Sequence, residues 1–235
     1  MITDEAKIPA KIKKVLSQNK WYHYTTEDQL QNLIENGSIA DYNAGNELDF
    51  GYGFYLASSL DSAHNYMSRA HSRINWSFIE YYYILEYEFE PLQYFTHDYS
   101  FAIFNKYDID FANFVFNNRI SYHDKIQKHN YDITYGVMSD SLARQLFLKY
   151  RSKIISKDEV LTELQKSTSM KQLCIHKQSI CDSLKLVDIH KYNSIDKEEE
   201  KLDLWTKALL IMQYRKLPTY WKMQYPTTTR TKEKI

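Results

Sequence analysis

The sequence predicts an α+β chain, and three stretches carry that expectation. Asp49-Phe-Gly-Tyr-Gly-Phe-Tyr-Leu-Ala57 reads as a turn that opens into a strand, with a helix after it. Phe78 to Phe89 alternates as one long strand, ending at Pro91. Thr26 to Gly37 reads as a helix: Thr26-x-x-Gln29 has capping-box spacing, Leu30, Leu33 and Ile34 make an apolar stripe, and Gly37 is placed to end it.

In the first stretch, glycine serves where the chain turns at positive φ or where another strand or a ligand approaches the backbone. Beyond Gly53 the side chains should alternate, with Phe54 and Leu56 toward the core and Tyr55 on the other side beside Gly53. Ser58-Ser59 is placed to cap a helix to about Arg69, with Ala63, Tyr66, Met67 and Ala70 on one face.

The other elements follow in order. Residues 1–20 are lysine-rich and read as an arm or short helix, with Lys11, Lys13 and Lys14 on a solvated face. Trp21 to Thr25 reads as a strand with Trp21, His23 and Thr25 on one face and Tyr22 and Tyr24 on the other. Residues 38–49 form an acidic, asparagine-bearing loop. In the long strand, Tyr81, Tyr83, Leu85, Tyr87 and Phe89 share one face, and the face carrying Tyr82, Ile84, Glu86 and Glu88 is expected to become solvent-exposed. Residues 94–120 mix aromatics with turns before a helix from Phe111 to Arg119. Then come a strand, Tyr131 to Val137, bounded by Ser139-Asp140, and helices Ser141–Tyr150 and Lys157–Gln165, the latter capped by Ser156. Lys171 to His176 is a short strand with Gln172, Cys174 and His176 on one face. A turn of helix and a last strand, Leu186–Ile189, close the domain. Asp196–Lys216 reads as one amphipathic helix that packs on the domain through Leu202, Trp205, Leu209 and Met212 and is ended by Pro218; Trp221, Tyr225 and a basic end follow.

Composition narrows the function. The 30 basic and 30 acidic residues balance, so there is no global steering toward nucleic acid. The two cysteines, Cys174 and Cys181, have neither metal-site spacing nor a disulfide framework, and a reduced cytoplasmic protein is expected. No apolar run is long enough to span a membrane, and no apolar signal core opens the chain. Phosphate-cradling, nucleophile-elbow, metalloprotease and zinc motifs are all missing, so no metal is expected. With 21 tyrosines in the chain, a tyrosine on a strand is by itself unremarkable. Three polar positions on separate strands, His23, Tyr55 and Gln172, therefore need an independent reason to be read together.

A resemblance supplies it. F-G-x-G-F-Y-L-A-S followed by a helix resembles the second signature of ADP-ribosyltransferases of the diphtheria-toxin and poly(ADP-ribose) polymerase type. Tyr22-His-Tyr-Thr25 and the helix after it, ending Asn36-Gly-Ser-Ile39, resemble the first. Phe111 to Arg119, Tyr131 to Asp140, Lys149 to Leu164 and Lys171 to Lys177 carry further ordered motifs similar to a bacterial family of such proteins, over roughly residues 21–190. The resemblance implies three segments: an arm or helix at 1–20, an ADP-ribosyltransferase-like domain at 21–190 and a C-terminal helical extension at 191–235. It implies two small packed β-sheets with flanking helices and an NAD cleft between them. It also implies a catalytic triad of His23, Tyr55 and Gln172, with His23, Tyr24, Thr25, Gly53, Tyr55 and Tyr66 around NAD, and the 38–49 loop over the dinucleotide.

On that assignment NAD is the substrate. His23 bonds the adenosine ribose, Tyr55 stacks on nicotinamide with support from Tyr66, and the site stabilises positive charge on the ribose as nicotinamide leaves. Diphtheria-toxin-like members have glycine where Tyr24 stands, whereas DNA-modifying members carry a bulky residue followed by threonine. The third position is usually glutamate. Gln172 keeps a hydrogen bond to the ribose 2′-hydroxyl but gives up the charge, which points to single transfer rather than polymer elongation. His176, on the same face, is a candidate base on the acceptor, against a reading as a satisfied structural histidine.

The expected function is mono-ADP-ribosylation by a cytoplasmic bacterial toxin, of the toxin–antitoxin or phage-defence kind. The acceptor is RNA, DNA or protein, with nucleic acid favoured over protein. An antitoxin or chaperone is a candidate partner, and no membrane is. The alternatives are an NAD glycohydrolase toxin, with water as acceptor, and a non-catalytic nucleotide-binding module.

Overall fold

The computed structural model describes residues 1–41, 43–71, 79–96, 98–139, 143–166 and 170–215. Phe78, Asp140, Ser141, the side chains of Arg69 and Ala70, and the segment with Trp221, Tyr225 and the basic end lie outside what it describes. In chain order its main elements are α1 (Ala10–Leu16), β1 (Lys20–Thr26), α2 (Glu27–Asn36), β2 (Phe54–Leu56), α3 (Leu60–His71), β3 (Tyr81–Glu88), β4 (Phe101–Phe104) and α4 (Ile109–Ile120). There follow β5 (Ile133–Val137), α5 (Ala143–Arg151), α6 (Lys157–Leu164), β6 (Lys171–Ile175), α7 (Gln178–Cys181), β7 (Lys185–Asn193), β8 (Glu199–Glu200) and α8 (Leu204–Arg215).

The strands form two four-stranded sheets, ordered β1-β3-β7-β8 and β2-β6-β5-β4. All pairings are antiparallel except β4 with β5. A bridge between Tyr22 and Ala57 joins the sheets through two backbone hydrogen bonds of 3.0 and 2.7 Å. The main core lies between them: Trp21, Leu85, Tyr87 and Ile189 from the first sheet meet Phe54, Leu56, Ile133, Tyr135, Leu173 and Ile175 from the second. The outer face of the second sheet is covered by α4, α5 and α6, and that of the first by α3. The chain is thus an α+β protein with two small sheets and flanking helices.

Alternation places side chains as expected in β1 and β2. Phe54 and Leu56 enter the inter-sheet core, and Tyr55 packs on the opposite side. The two nearby glycines divide the two tasks of their residue type. Gly51 has φ +76°, and any Cβ on Gly53 would run into Cys174 and Ile175 of the paired strand and His176 just beyond it.

Four expectations are corrected. The second face of β3 is covered rather than solvent-exposed as far as Glu86: Tyr82 and Ile84 lie under Ala63 and Met67 of α3, and the nearly buried Glu86 takes a 2.6 Å ion pair from Lys20. Thr26 occupies the N-cap of α2 without a capping bond from its side chain, whereas Ser156 makes the full reciprocal box with Glu159. The aromatic stretch after residue 94 contains a fully buried strand, β4. The C-terminal helix starts at Leu204, and Leu204, Trp205, Leu209 and Met212 are exposed. That helix packs through Leu210, Ile211 and Tyr214.

The expected segment boundaries fall inside packed structure. Ile12 and Leu16 of α1 belong to the inter-sheet core, β7 continues past residue 190 to Asn193, and β8 extends the first sheet.

Candidate functional site

Where β1 and β2 meet, the sheets splay apart and leave a cavity of about 300 Å³. That is the lower end of the range usual for small-molecule sites. His23, Tyr24, Thr25, Gly53, Tyr55, Tyr66 and Gln172 all line it. Residues from two sheets and one helix are brought to one place.

His23 is the best defined of them. Its Nδ1 lies 2.8 Å from the Tyr55 carbonyl oxygen, and its ring stacks on Phe54 at 4.4 Å. The carbonyl accepts only, so the proton sits on Nδ1. Burial lowers its pKa to about 4, against a smaller opposing effect of the Tyr55 bond. The imidazole is therefore neutral at pH 7, with Nε2 left as a hydrogen-bond acceptor.

Tyr55 is held by its hydroxyl, which donates to the Gly51 carbonyl at 2.6 Å and accepts from the Phe50 amide at 3.2 Å. Burial keeps its pKa well above the ordinary phenol value, so it supplies a ring rather than a base. It pairs across the strands with Cys174, whose thiol burial pushes up and leaves unreactive. Tyr66 reaches the cavity from α3, and its ring contacts Tyr24 at 4.9 Å.

Gln172 sits in β6, between β2 and β5, and is 8% exposed. Among the described residues its carboxamide has no hydrogen-bond partner. His176 does not line the cavity. Its Nδ1 is 2.7 Å from the Tyr52 carbonyl oxygen and its Nε2 2.9 Å from the Thr134 hydroxyl. Burial, and next the neighbouring His129, lower its pKa to about 3. The structural reading of His176 holds, and it is not a base at this site.

The 38–49 loop is tied down by residues that sequence reasoning missed. Asn43 bonds both backbone groups of Gly53, at 2.8 and 2.9 Å, as a neighbouring strand would. Asp49 accepts from the Ser139 amide and hydroxyl, both at 2.6 Å, and from Arg119 Nε at 2.7 Å. Arg119 also reaches Glu47, which Arg151 holds from its other side at 2.7 Å. Burial opposes the Arg119 charge, but Asp49 and then Glu47 outweigh it and leave its pKa raised. Asp49, Ser139 and Arg119 line the cavity, as do Asn43 and Lys171. Asp49 opened the glycine motif in the sequence, but only the fold shows that its partner is an arginine at the end of α4.

Among the described residues no helix is long and apolar enough to cross a membrane, and no group of His, Cys, Asp and Glu is arranged to hold a metal ion. No curated protein and no solved structure matches the chain. Residues 19–186 match the model of a family described as a protein of unknown function, DUF3990, and the chain belongs to that family.

Proposed function

We propose that the protein is an NAD-dependent mono-ADP-ribosyltransferase with an ADP-ribosyltransferase fold. The observation that carries the reading is the convergence of His23, Tyr55 and Gln172 on one cavity, from three strands in two sheets. The chemistry of each residue suits the role. A neutral His23 with a free Nε2 accepts a hydrogen bond from a ribose hydroxyl. Tyr55 offers a ring whose orientation is fixed by its own hydroxyl. Gln172 offers an unengaged carboxamide to a second hydroxyl. Tyr24 and Tyr66 provide further aromatic surface for a flat, cationic nicotinamide ring. The buried thiol of Cys174 and the engaged His176 leave no competing nucleophile or base among these groups. A toxin acting in the cytoplasm on a macromolecule is the biological setting that the sequence resemblance favours.

The test is nicotinamide release from adenylate-labelled NAD by the purified protein in cell extract, with His23→Ala, Tyr55→Ala and Gln172→Ala beside it. Label entering a macromolecular fraction, and lost in the variants, supports transfer. Label found only in free ADP-ribose means a glycohydrolase. NAD binding without nicotinamide release means a binding module, and it overturns the enzymatic reading.

A further inference from the structure

The hydroxyl that orients Tyr55 is one link in a longer chain of hydrogen bonds, and that chain reaches outside the cavity. It starts at the Tyr131 amide, two residues before β5, which donates to His129 Nδ1 at 3.2 Å. His129 Nε2 lies 3.0 Å from the Phe50 carbonyl oxygen. The Phe50 amide donates to the Tyr55 hydroxyl at 3.2 Å, and that hydroxyl donates to the Gly51 carbonyl at 2.6 Å. A backbone amide only donates and a carbonyl only accepts, so each proton in the chain has one place and His129 carries its own on Nε2. Burial holds the His129 pKa below the ordinary histidine value, against a smaller opposing effect of the Phe50 bond, so the ring is neutral at pH 7 and Nδ1 is an acceptor.

The turn from Phe50 to Gly53 belongs to no helix or strand, so side chains fix its backbone instead. His129 takes the Phe50 carbonyl, Tyr55 that of Gly51, and Asn43 both groups of Gly53. The Tyr52 carbonyl oxygen lies 2.7 Å from His176 Nδ1 and 3.1 Å from Gln127 Nε2. The His129 bond has a particular consequence. It holds the peptide between Phe50 and Gly51. On one side of that peptide is the amide that donates to the Tyr55 hydroxyl, and on the other is the carbonyl that accepts from it. The His129 ring is itself braced, 4.9 Å from the Phe114 ring and 5.3 Å from that of Tyr131, and it does not line the cavity.

We propose that His129 is a positioning residue: by holding the Phe50–Gly51 peptide it fixes the plane of the Tyr55 ring on which nicotinamide stacks. The use of that ring rests on the transferase reading above. The relay itself rests on the four hydrogen bonds. The rival role for His129 is support of the fold alone, and the two roles predict different couplings to the Tyr55 hydroxyl.

The experiment is a double-mutant cycle on the full chain, with two readouts. One is kcat/KM for nicotinamide release, and the other is NAD affinity, from the anisotropy of an NAD made fluorescent in its adenine ring. His129→Phe keeps a ring beside Phe114 and Tyr131 but loses the donor to Phe50. It should lower kcat/KM roughly tenfold, as misplacement of a positioned group does. Tyr55→Phe keeps the stacking ring but loses the hydroxyl through which His129 acts. In that background His129→Phe should cost less than about twofold, since interacting positions are not additive. His129→Gln places an amide donor near the position of Nε2 and should recover to within about threefold of the unaltered protein. Unfolding midpoints show that each variant is folded under assay. Should His129→Phe fail to fold, His129→Asn, too short to reach the Phe50 carbonyl, takes its place in the cycle. Equal losses with and without the Tyr55 hydroxyl overturn the proposal and leave His129 a support of the fold. No loss in His129→Phe overturns it, and so does a His129→Gln variant as impaired as His129→Phe. NAD binding that shows the same coupling without nicotinamide release leaves the positioning role standing and removes the transferase reading. Release with additive losses does the reverse, and neither binding nor release removes both.

Discussion

The Nδ1 atom of His23 and the carbonyl oxygen of Tyr55 lie 2.8 Å apart on strands of different sheets. The bond links two of the three polar site positions directly and fixes the histidine tautomer. It stands beside the Tyr22–Ala57 bridge, so the geometry of the site and the joining of the sheets are one piece of structure.

That burial has a consequence in acid. The His23 pKa falls from 6.5 to about 4 on folding, so between those values the unfolded chain binds the extra proton. Stability contributed in this way is present above pH 6.5 and is lost as pH falls through the window. His176, lowered to about 3, acts with the same sign. Burial lowers His64 and His129 in the same direction, and replacing His23 with Gln removes the His23 contribution alone. Between pH 7 and pH 5 the unaltered protein should lose on the order of 1–2 kcal/mol more than His23→Gln. Urea unfolding at the two pH values measures the difference, and equal losses would show that His23 is not buried neutral.

Gly53 makes a steric prediction. Gly53→Ala drives a Cβ into Cys174 Sγ and close to the Ile175 carbonyl and the His176 ring. Overpacking of this kind costs about 1–3 kcal/mol. Adding Cys174→Ala removes the worst contact but leaves the backbone one. The double variant should therefore recover part of the lost stability, a positive coupling readable in a double-mutant cycle. Additive losses would place the strain elsewhere.

The fold was legible where a residue's partner lies nearby or where periodicity alone decides. Phe54, Leu56 and Tyr55 alternate as their pattern requires, and Ser156 caps α6. It was illegible where a distant element covers a face. The second face of β3 carries glutamates, and only α3, folding back over Tyr82 and Ile84, makes it interior. β4 was hidden because its aromatic run has no polar alternation, being buried on both sides. In the site, residues on strand faces were readable, but the Asp49–Arg119–Glu47 network was not, since nothing local pairs an acidic loop with the end of α4.

The Arg119 network predicts unequal costs for its members. Arg119→Gln leaves Asp49 and Glu47 facing each other near the cavity without their shared cation. Breaking a buried pair by removing one partner costs roughly 3–5 kcal/mol. Glu47→Gln should cost less, because Arg119 keeps Asp49, and the more exposed Arg151 loses only a partner near solvent. Chemical denaturation ranks the two, and a larger loss for Glu47→Gln would contradict the assignment of Arg119 as the hub.

The C-terminal helix gives a contrast between its two faces. Tyr214 is buried and lies 2.9 Å from the Ser38 hydroxyl, which ties α8 to the loop after α2. Tyr214→Phe should cost about 1 kcal/mol, the usual worth of such a bond. Trp205, expected from its spacing to face inward, is 87% exposed. Trp205→Ser should therefore stay within about 0.5 kcal/mol of the unaltered protein. Thermal unfolding of the two variants tests both statements, and a large loss for Trp205→Ser would restore the inward-facing stripe.

Gln172 separates a hydrogen-bonding role from an electrostatic one. The residue is nearly buried, lines the cavity and has no partner among the described residues. If its carboxamide holds a ribose hydroxyl while nicotinamide departs, Gln172→Ala removes that contact. Loss of one positioned group in a transition state costs on the order of a hundredfold in rate. Gln172→Glu keeps the shape and an accepting oxygen. It also places a carboxyl in surroundings that penalise charge, so its pKa should rise and activity should climb with pH as it ionises. Nicotinamide release by Gln172→Glu, followed from pH 5 to pH 8, should rise through that interval toward or above the rate of the unaltered protein, whereas Gln172→Ala stays low throughout. A flat, fully active profile for Gln172→Ala would mean that the carboxamide only fills space, and the triad would shrink to His23 and Tyr55.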